Sequence, residues 1–502
     1  MTYQLYWGDL HSHCSISYGH GTAQQALLRA AQQLDFASVT GHAFWPDMPA
    51  DRNVYAEIID YHNMGFAKLA RNWDLLLKLS ADATAEGKFI AIPSYEWHSM
   101  KYGDHNVYAP GPDLPLEGAP DLPALRQKTA AAPGGGIAIP HHIGYAAGYR
   151  GINWEHYKPD VSPFVEIFSL HGCSVDDNAP YPMLHDMGPR DFGSTAEQGW
   201  KMGHRFGIVG GTDHHGAYPG SFGDGRMGAL AESLTRESLF EAFKARRVYA
   251  ATGDKIDAAM WVDDAWIGSD IRSPGKRTIR VRVRGADELD KVELIRNGRI
   301  IERFFPQNNA GPDGQGVYRL RVTWGWGRKS QLVDWDVKLA LSDGEIQCVE
   351  PCFTGAAVVA PKAPDDDAQT PDEHDLPHEI SDQGPRHCTW RSVTHGNLTM
   401  RHATTQSISL ELTASLDATL TIQVNGQHYQ HKLGELLGAA RSHYLRGWLS
   451  EAIGIGPLVP MRCCVVEAEV ADQPHEDVDV YRLQVAQRNG QWAWLSPIWV
   501  ER

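Results

Sequence analysis

The 502-residue sequence contains no run of eighteen or more apolar residues, and its start, MTYQLYWGDL, lacks the basic stretch and apolar core of a secretion signal. Neither a membrane span nor export is therefore expected, and a cytoplasmic chain is the reading. Cysteine is scarce: seven residues scattered from Cys14 to Cys464, with no CxxC pair, argue against a disulfide framework and against a cysteine-type zinc site. Positive charge is short as well. Lys and Arg number 46 against 62 Asp and Glu, and the net charge of −16 opposes nucleic-acid binding through backbone phosphates, so a small-molecule substrate is the expected partner. No GxSxG elbow occurs, and Cys14 carries no sign of activation, so no serine or cysteine nucleophile is indicated. What remains is an ordinary globular balance, 42% hydrophobic and 22% charged, long enough for two or three domains.

Residues 1–256 alternate short apolar runs with helical stretches, the pattern of repeated βα units. YQLYWGDLHSH begins as a strand. TAQQALLRAAQQLD reads as an amphipathic helix capped by Thr22, and FASVTGH follows as the next strand. Further strands are expected at KFIAIPSYEW, DHNVYAP, GIAIPHH, FVEIFSL and FGIVGGTDHH. Polar motifs close these strands, which is where an α/β barrel places its chemistry. Residues 257–502 change to period-2 alternation with Asn297-Gly298, Asp343-Gly344, Asn425-Gly426 and Asn489-Gly490 as turns, so an all-β, sandwich-like accessory region is expected. Within it, HKLGELLGAARSHYLRGWLSEA reads as helical. Residues 361–386 hold five prolines and eight acids against two bases and read as a solvated insertion, since they offer little apolar surface to offset ordering.

Fifteen of the 24 histidines precede residue 257, and their positions matter more than their number. His11 and His13 are two apart on an extended segment and point the same way, with Asp9 continuing the row to orient or balance them. An isolated HxH is more often structural than metal-binding. Comparable clusters nevertheless recur at later strand ends: His42, Glu96, His105, His141 with His142, and Asp213 with His214 and His215. Neutral imidazoles with carboxylates suit zinc, iron or manganese, whereas calcium and magnesium ask for oxygen ligands.

GDLHSH, a histidine closing the second strand, then Glu96, His105, the histidines before IGY and finally TDHH, in that order, resemble the PHP (polymerase and histidinol phosphatase) superfamily over roughly residues 3–255. The β-rich remainder is similar to a branch that includes uncharacterised proteins and aryl-carbamate hydrolases. The resemblance implies an α/β fold, a distorted (β/α)7 barrel followed by a β-sandwich, with two or three divalent transition metal ions (Zn, Mn or Fe). It puts His11, His13, Glu96 and Asp213 on one ion, Glu96 with His105 and His141 or His142 on a second, and His42 and His215, with His20 as a further candidate, on a third. Two positions depart from the pattern: Gly41 stands where many members have aspartate, and Ser17-Tyr18-Gly19-His20 replaces Ser-Asp-Gly. A surface-loop role is the alternative for His20.

A hydroxide held between two cations that share Glu96 is the expected nucleophile of a metal-dependent hydrolase. His171 or His214 is the candidate acid for the leaving group, against the plainer readings that His171 bonds a carbonyl and His214 faces away. Glu166 is expected to orient a ligand imidazole. Phosphomono- or phosphodiester hydrolysis is the leading activity, as the superfamily's commonest. Lys101, Arg150 and Arg205 are the main cations near the motifs, among Tyr18, Phe44, Trp45, Tyr95, Trp97, Tyr102, Tyr145 and Tyr149. Arg150, Lys101 and Tyr145 are thus candidate substrate contacts, and the aromatic surplus keeps a carbamate, ester or amide hydrolase close behind, unless those rings only pack a barrel rim. A third reading is a non-catalytic binding scaffold.

Overall fold

The computed structural model describes residues 3–306, 315–329, 331–356, 368–371, 376–396 and 404–502. In chain order the first half contains β1 (Gln4–Asp9), α1 (Ala23–Gln33), β2 (Phe36–Ala37), β3 (Thr40–Phe44), α2 (Arg52–Ala83), β4 (Ile90–Ala91), β5 (Ser94–Trp97) and β6 (His105–Tyr108). It continues with α3 (Leu122–Ala131), β7 (Ile137–Pro140), β8 (Phe164–Ser169), β9 (Gly172–Cys173), α4 (Ala196–Lys201), β10 (Gly207–Gly210), β11 (Arg226–Ala231), α5 (Arg236–Lys244) and β12 (Val248–Ala251). The Thr22 hydroxyl accepts from the Gln25 N–H at 3.1 Å, so α1 starts where its cap predicts, and Ala23, Ala26, Leu27 and Ala30 form its buried stripe.

The fold is mixed α/β and strand-rich. Hydrogen bonding leaves the strands of this half in three sheets rather than in one closed parallel (β/α)7 barrel. β1, β2 and β4 run parallel, but β11 and β12 add to them antiparallel. β3 and β5 are parallel, whereas β5–β6 and β6–β7 are antiparallel. β8 and β10 pair in parallel, with the short β9 folded back on β8. Only five α-helices lie in this half, too few to follow each strand of a seven-fold repeat, and the strand-to-strand returns account for the antiparallel pairs.

Beyond residue 256, two five-stranded antiparallel sheets face each other. Trp324, Leu410 and Ile453 of one and Trp335, Trp390 and Ile422 of the other share one apolar core. Asn297-Gly298 and Asn425-Gly426 take positive φ at both residues, the tight hairpin geometry their sequence predicts. The last strands do not stay with this pair of sheets. Trp492–Leu495 pairs with β12, with Tyr249 opposite Leu495 and Ala250 opposite Trp494, so strands from both sides of residue 256 share one eleven-stranded sheet.

Two expectations change here. In the segment read as helical only Leu433–Leu436 is helix, and Arg441–Tyr444 and Glu451–Pro460 are strands. Left-handed backbone at Gly438, Gly447 and Leu449 interrupts the helical period. Of the proline-rich insertion, His378–Gly384 is a strand paired with His387–His395, because a neighbouring strand satisfies its backbone and Ile380 packs on the sheet core. Residues 361–367 and 372–375 lie outside the described residues.

Candidate metal centre

The segments that follow β1 and β10 are tied together by Asp9. Its Oδ1 accepts from the His11 and Thr212 N–H groups at 2.9 and 3.1 Å. Its Oδ2 accepts from the Thr212 hydroxyl at 2.7 Å and the Gly220 N–H at 2.8 Å. A fully buried carboxylate with four donors thus fixes the GDLHSH backbone against GGTDHH. His142 and Asp213 sit in left-handed backbone, a conformation that costs residues of these types of order 1 kcal/mol and that recurs where function constrains the chain.

Around this frame His11 and His13 meet with their Nε2 atoms 3.1 Å apart. Asp213 Oδ1 lies 3.0 Å from His13 Nε2 and 3.3 Å from His11 Nε2, and Asp213 Oδ2 lies 2.9 Å from His171 Nε2. Glu96 faces His141 Nε2 at 3.0 Å, His98 Nδ1 at 3.3 Å, and His13 and His42 Nε2 both at 3.5 Å. These side chains fall into five groups whose donor atoms lie within 4.8 Å of one another: His11, His13 and Asp213; Glu96, Asp104, His141 and His142; His13, His42 and His215; His42, Glu96 and His98; and His142, His171 and Asp213. All are buried except His215, which is partly so.

Behind the donors, Glu166 Oε2 stands 2.8 Å from His11 Nδ1 while its Oε1 accepts from the His142 N–H at 3.3 Å, so it orients one imidazole and pins the next segment. Tyr145 is fully buried with its hydroxyl 2.6 Å from His171 Nδ1. Arg150 pairs with Asp104, its Nε donating at 2.8 Å, and lies 4.9 Å from the Trp45 ring.

Three proposed ligand or acid residues are not drawn into these groups. His20 is partly buried, and its backbone N–H donates to the His215 carbonyl at 2.7 Å. His105 Nδ1 lies 2.9 Å from the Gly103 carbonyl, and its ring meets Trp97 edge-on. His214 faces away from the cleft. Its Nδ1 accepts from the Gly216 N–H at 3.0 Å, and its ring lies so close to Gly355 that a Cβ there would come within 2.5 Å. Lys101 is exposed over the Tyr102 ring, and Arg205 is spent on Asp270 and Glu501.

His98 and Asp104, not singled out by the motifs, also fall within these donor groups. His98 follows Glu96 at the same two-residue spacing that singled out His11 and His13. Asp104 precedes His105, and adjacent residues of an extended chain point to opposite sides, so only one of the two can face the centre.

The donors carry the charges a cation needs. Burial pushes His141 and His215 down to about 3 and His142 to about 4, so these imidazoles are neutral and keep a lone pair. Burial alone would raise the carboxylates. His98 and His141 beside Glu96, Arg150 beside Asp104, and His11 and His171 beside Asp213 instead hold all three well below their usual range. His11 is the exception among the imidazoles: burial lowers it, yet Asp213 and Glu166 hold it up to about 10. Among the described residues, Glu96 Oε2, His13 Nδ1, His98 Nε2 and the Nδ1 atoms of His141 and His142 are buried without a hydrogen-bond partner. An orphaned Glu96 oxygen, with ionised carboxylates and imidazole nitrogens gathered within 4.8 Å of one another, fits one or more divalent cations as the missing partner.

No family model matches the chain. It is 28% identical over 267 residues to an uncharacterized protein of Chlamydia pneumoniae, a match covering 47% of this chain and 41% of that one. Uncharacterized proteins of Chlamydia trachomatis and Chlamydia muridarum are 27% and 28% identical over 254 residues, 46% of this chain and 40% of theirs. The chain therefore spans about two fifths of the length of the curated relatives it matches. Among solved structures, it is similar to a two-domain protein of Bacteroides vulgatus containing a predicted PHP-like metal-dependent phosphoesterase. That match has 14% identity and a TM-score of 0.32, and covers 66% of this chain and 81% of that chain.

Proposed function

We propose that the chain is a metal-dependent hydrolase, with phosphoesters as the leading substrate class and the PHP superfamily as its affiliation. The observation that carries the reading is the meeting of Glu96, Asp213 and the imidazoles of His11, His13, His42 and His141 in one buried centre. Under it the three sheets of the first half are segments of the distorted barrel that the resemblance implies. His11, His13, Glu96 and Asp213 would hold one ion, Glu96 with His141 and with His142 or Asp104 a second, and His42 with His215 a third. Zinc, manganese or iron bound there supplies Lewis acidity, activating water and polarising the scissile centre.

The protein's own groups shape the rest. Glu96 presents its carboxylate to four imidazoles and, like Asp213, is placed to serve more than one donor group. Glu166 keeps His11 turned inward through Nδ1. His171 stands on the cleft wall with Nε2 on Asp213 and Nδ1 on the Tyr145 hydroxyl; the two contacts fix its ring at the cleft, where it would be the candidate acid for a leaving group.

A second reading, hydrolysis of a carbamate, ester or amide on a small aromatic group, is favoured by the cleft itself. Arg150 is the sole lysine or arginine among its described lining residues and is committed to Asp104, while Tyr18, Tyr61 and Met187 supply its walls. Assays of the metal-reconstituted protein with p-nitrophenyl phosphate, bis-p-nitrophenyl phosphate and 1-naphthyl N-methylcarbamate separate the two. Glu96→Gln is expected to lower turnover by about a thousandfold or more on whichever substrate is cleaved. Undiminished turnover in that variant would sink the proposal.

A further inference from the structure

Helix α2 contributes Tyr61 and His62 to the lining of the cleft. Its buried positions Ile59, His62, Gly65, Leu69 and Trp73 recur every three or four residues, so one stripe faces inward. Two close approaches seat it. A Cβ on Gly65 would lie 2.4 Å from Tyr18 Cδ1, and a Cβ on Gly41 would lie 2.4 Å from Leu69 Cδ1. Leu69 therefore fills the space that a side chain at position 41 would need, which accounts for glycine where many PHP members carry aspartate. Tyr18, pressed into the gap at Gly65, stacks on His42 with ring centroids 3.5 Å apart.

His62 lies on the same stripe, 2% exposed, with its ring 4.8 Å from Trp45 and 5.3 Å from Tyr18. Its Nδ1 is 2.7 Å from the Ile58 carbonyl. A carbonyl oxygen only accepts, so Nδ1 carries the hydrogen, and a neutral ring keeps its lone pair on Nε2. Burial, with the neighbouring His98 and Arg150, pushes this imidazole down to about 3, so the ring is neutral. Among the described residues no hydrogen bond reaches Nε2. The side chain lines the cleft of about 430 Å³ that also exposes Glu96, Asp213, Tyr18 and Tyr61.

We infer that α2 is the substrate-recognition wall of the cleft and that His62 reads a hydrogen-bond donor, an O–H or N–H, on the organic part of the substrate. The inference rests on the cleft being the substrate site of the hydrolase proposed above. A phosphate oxygen at neutral pH brings only lone pairs and is repelled by the Nε2 lone pair, whereas a hydroxyl or amide N–H satisfies it. The scissile group then belongs at the Glu96 and Asp213 end. A donor-bearing group belongs under α2, beside His62 and the edge-to-face pair Tyr18 and Tyr61.

The test uses the full-length, metal-reconstituted protein and two matched substrate pairs, 3-hydroxyphenyl against 3-methoxyphenyl phosphate and the corresponding acetates. Wild type is expected to favour the hydroxyl member about tenfold in kcat/KM, because a site built to bond a donor discriminates against its absence. His62→Phe, which keeps a ring but no acceptor, is expected to bring that ratio to about one, and His62→Gln, which restores an acceptor, to recover part of it. An equal ratio in all three proteins overturns the inference. Should neither series be cleaved, nor bis-p-nitrophenyl phosphate nor 1-naphthyl N-methylcarbamate, the hydrolase reading fails separately. Recognition is then judged by ¹⁵N-histidine NMR of the zinc-loaded wild type, which also covers a His62→Phe variant that does not fold. Resorcinol is expected to move the His62 Nε2 resonance and 1,3-dimethoxybenzene to leave it in place; no movement with either overturns the inference.

Discussion

In the β-rich half Arg277 and Asp479 are both fully buried, and both oxygens of that carboxylate are matched to donors. Arg277 Nη1 reaches Asp479 Oδ2 at 2.5 Å, the Asn297 amide donates to Oδ1 at 2.8 Å, and the His475 N–H donates to Oδ2 at 2.9 Å. Asp254, at the end of the histidine-rich half, is matched in the same way by Arg321, Gln487 and Asn489 of the β-rich half. At the centre of the other half, Glu96 and Asp213 are buried as deeply but meet imidazoles in place of arginine, and no hydrogen bond from the described residues reaches Glu96 Oε2. Both halves face the same physical demand, since a buried charge is costly unless it is paired. The β-rich half meets it with its own side chains, whereas the histidine-rich half assembles acceptors that a cation would complete.

Three substitutions sharpen the contrast, beginning with the largest effect. Asp213→Asn removes the carboxylate shared by His11, His13 and His171, and is expected to lower hydrolysis by about a thousandfold while lowering bound metal, read by elemental analysis. Metal content and rate equal to wild type would erase the distinction between the halves. Arg277→Ala strands Asp479 without its cation and is expected to cost about 3–5 kcal/mol in a denaturant titration with no change in metal content. A loss of metal in that variant would show the two regions to be one cooperative system.

The smallest effect concerns Asp224, partly buried near the interface of the halves. Burial raises its carboxyl, the Ser221 hydroxyl bonded to it at 2.5 Å opposes, and the Asp9 carboxylate adds to the rise, which carries it to about 6. Because the folded value lies above that of an unfolded aspartate, the native state holds the extra proton. Stability is therefore expected to fall as pH rises from about 4 to 6 and to level off above. Asp224→Asn is expected to be about 1–2 kcal/mol more stable than wild type at pH 7 and no different at pH 4, measured by thermal melts at both. An equal gain at both pH values would remove ionisation as the cause.

Much of the centre is legible in the sequence because its parts are local. A pair two residues apart on an extended segment shares a side, as His11 and His13 do, and each later motif ends a short apolar strand. What was not legible depends on contacts between distant segments. The choice of Asp104 over His105 is set by which side of β6 faces the centre, and no periodicity in four residues encodes that. His214 is turned outward because Gly355, some 140 residues away, packs on its ring. The sharing of one sheet by β12 and Trp492–Leu495 is likewise invisible to a reading that divides the chain where its texture changes. Helical spacing in residues 431–452 was real, but glycines in left-handed backbone outweighed it.

Anomalous X-ray scattering from crystals of the zinc-reconstituted protein, recorded on both sides of the zinc absorption edge, tests the central claim most directly. About two or more peaks are expected, at least one of them within roughly 2.0–2.3 Å of a Glu96 oxygen and of the His13 or His141 nitrogens. A map with no peak at this centre, in crystals that carry zinc in the surrounding solvent, would contradict the account.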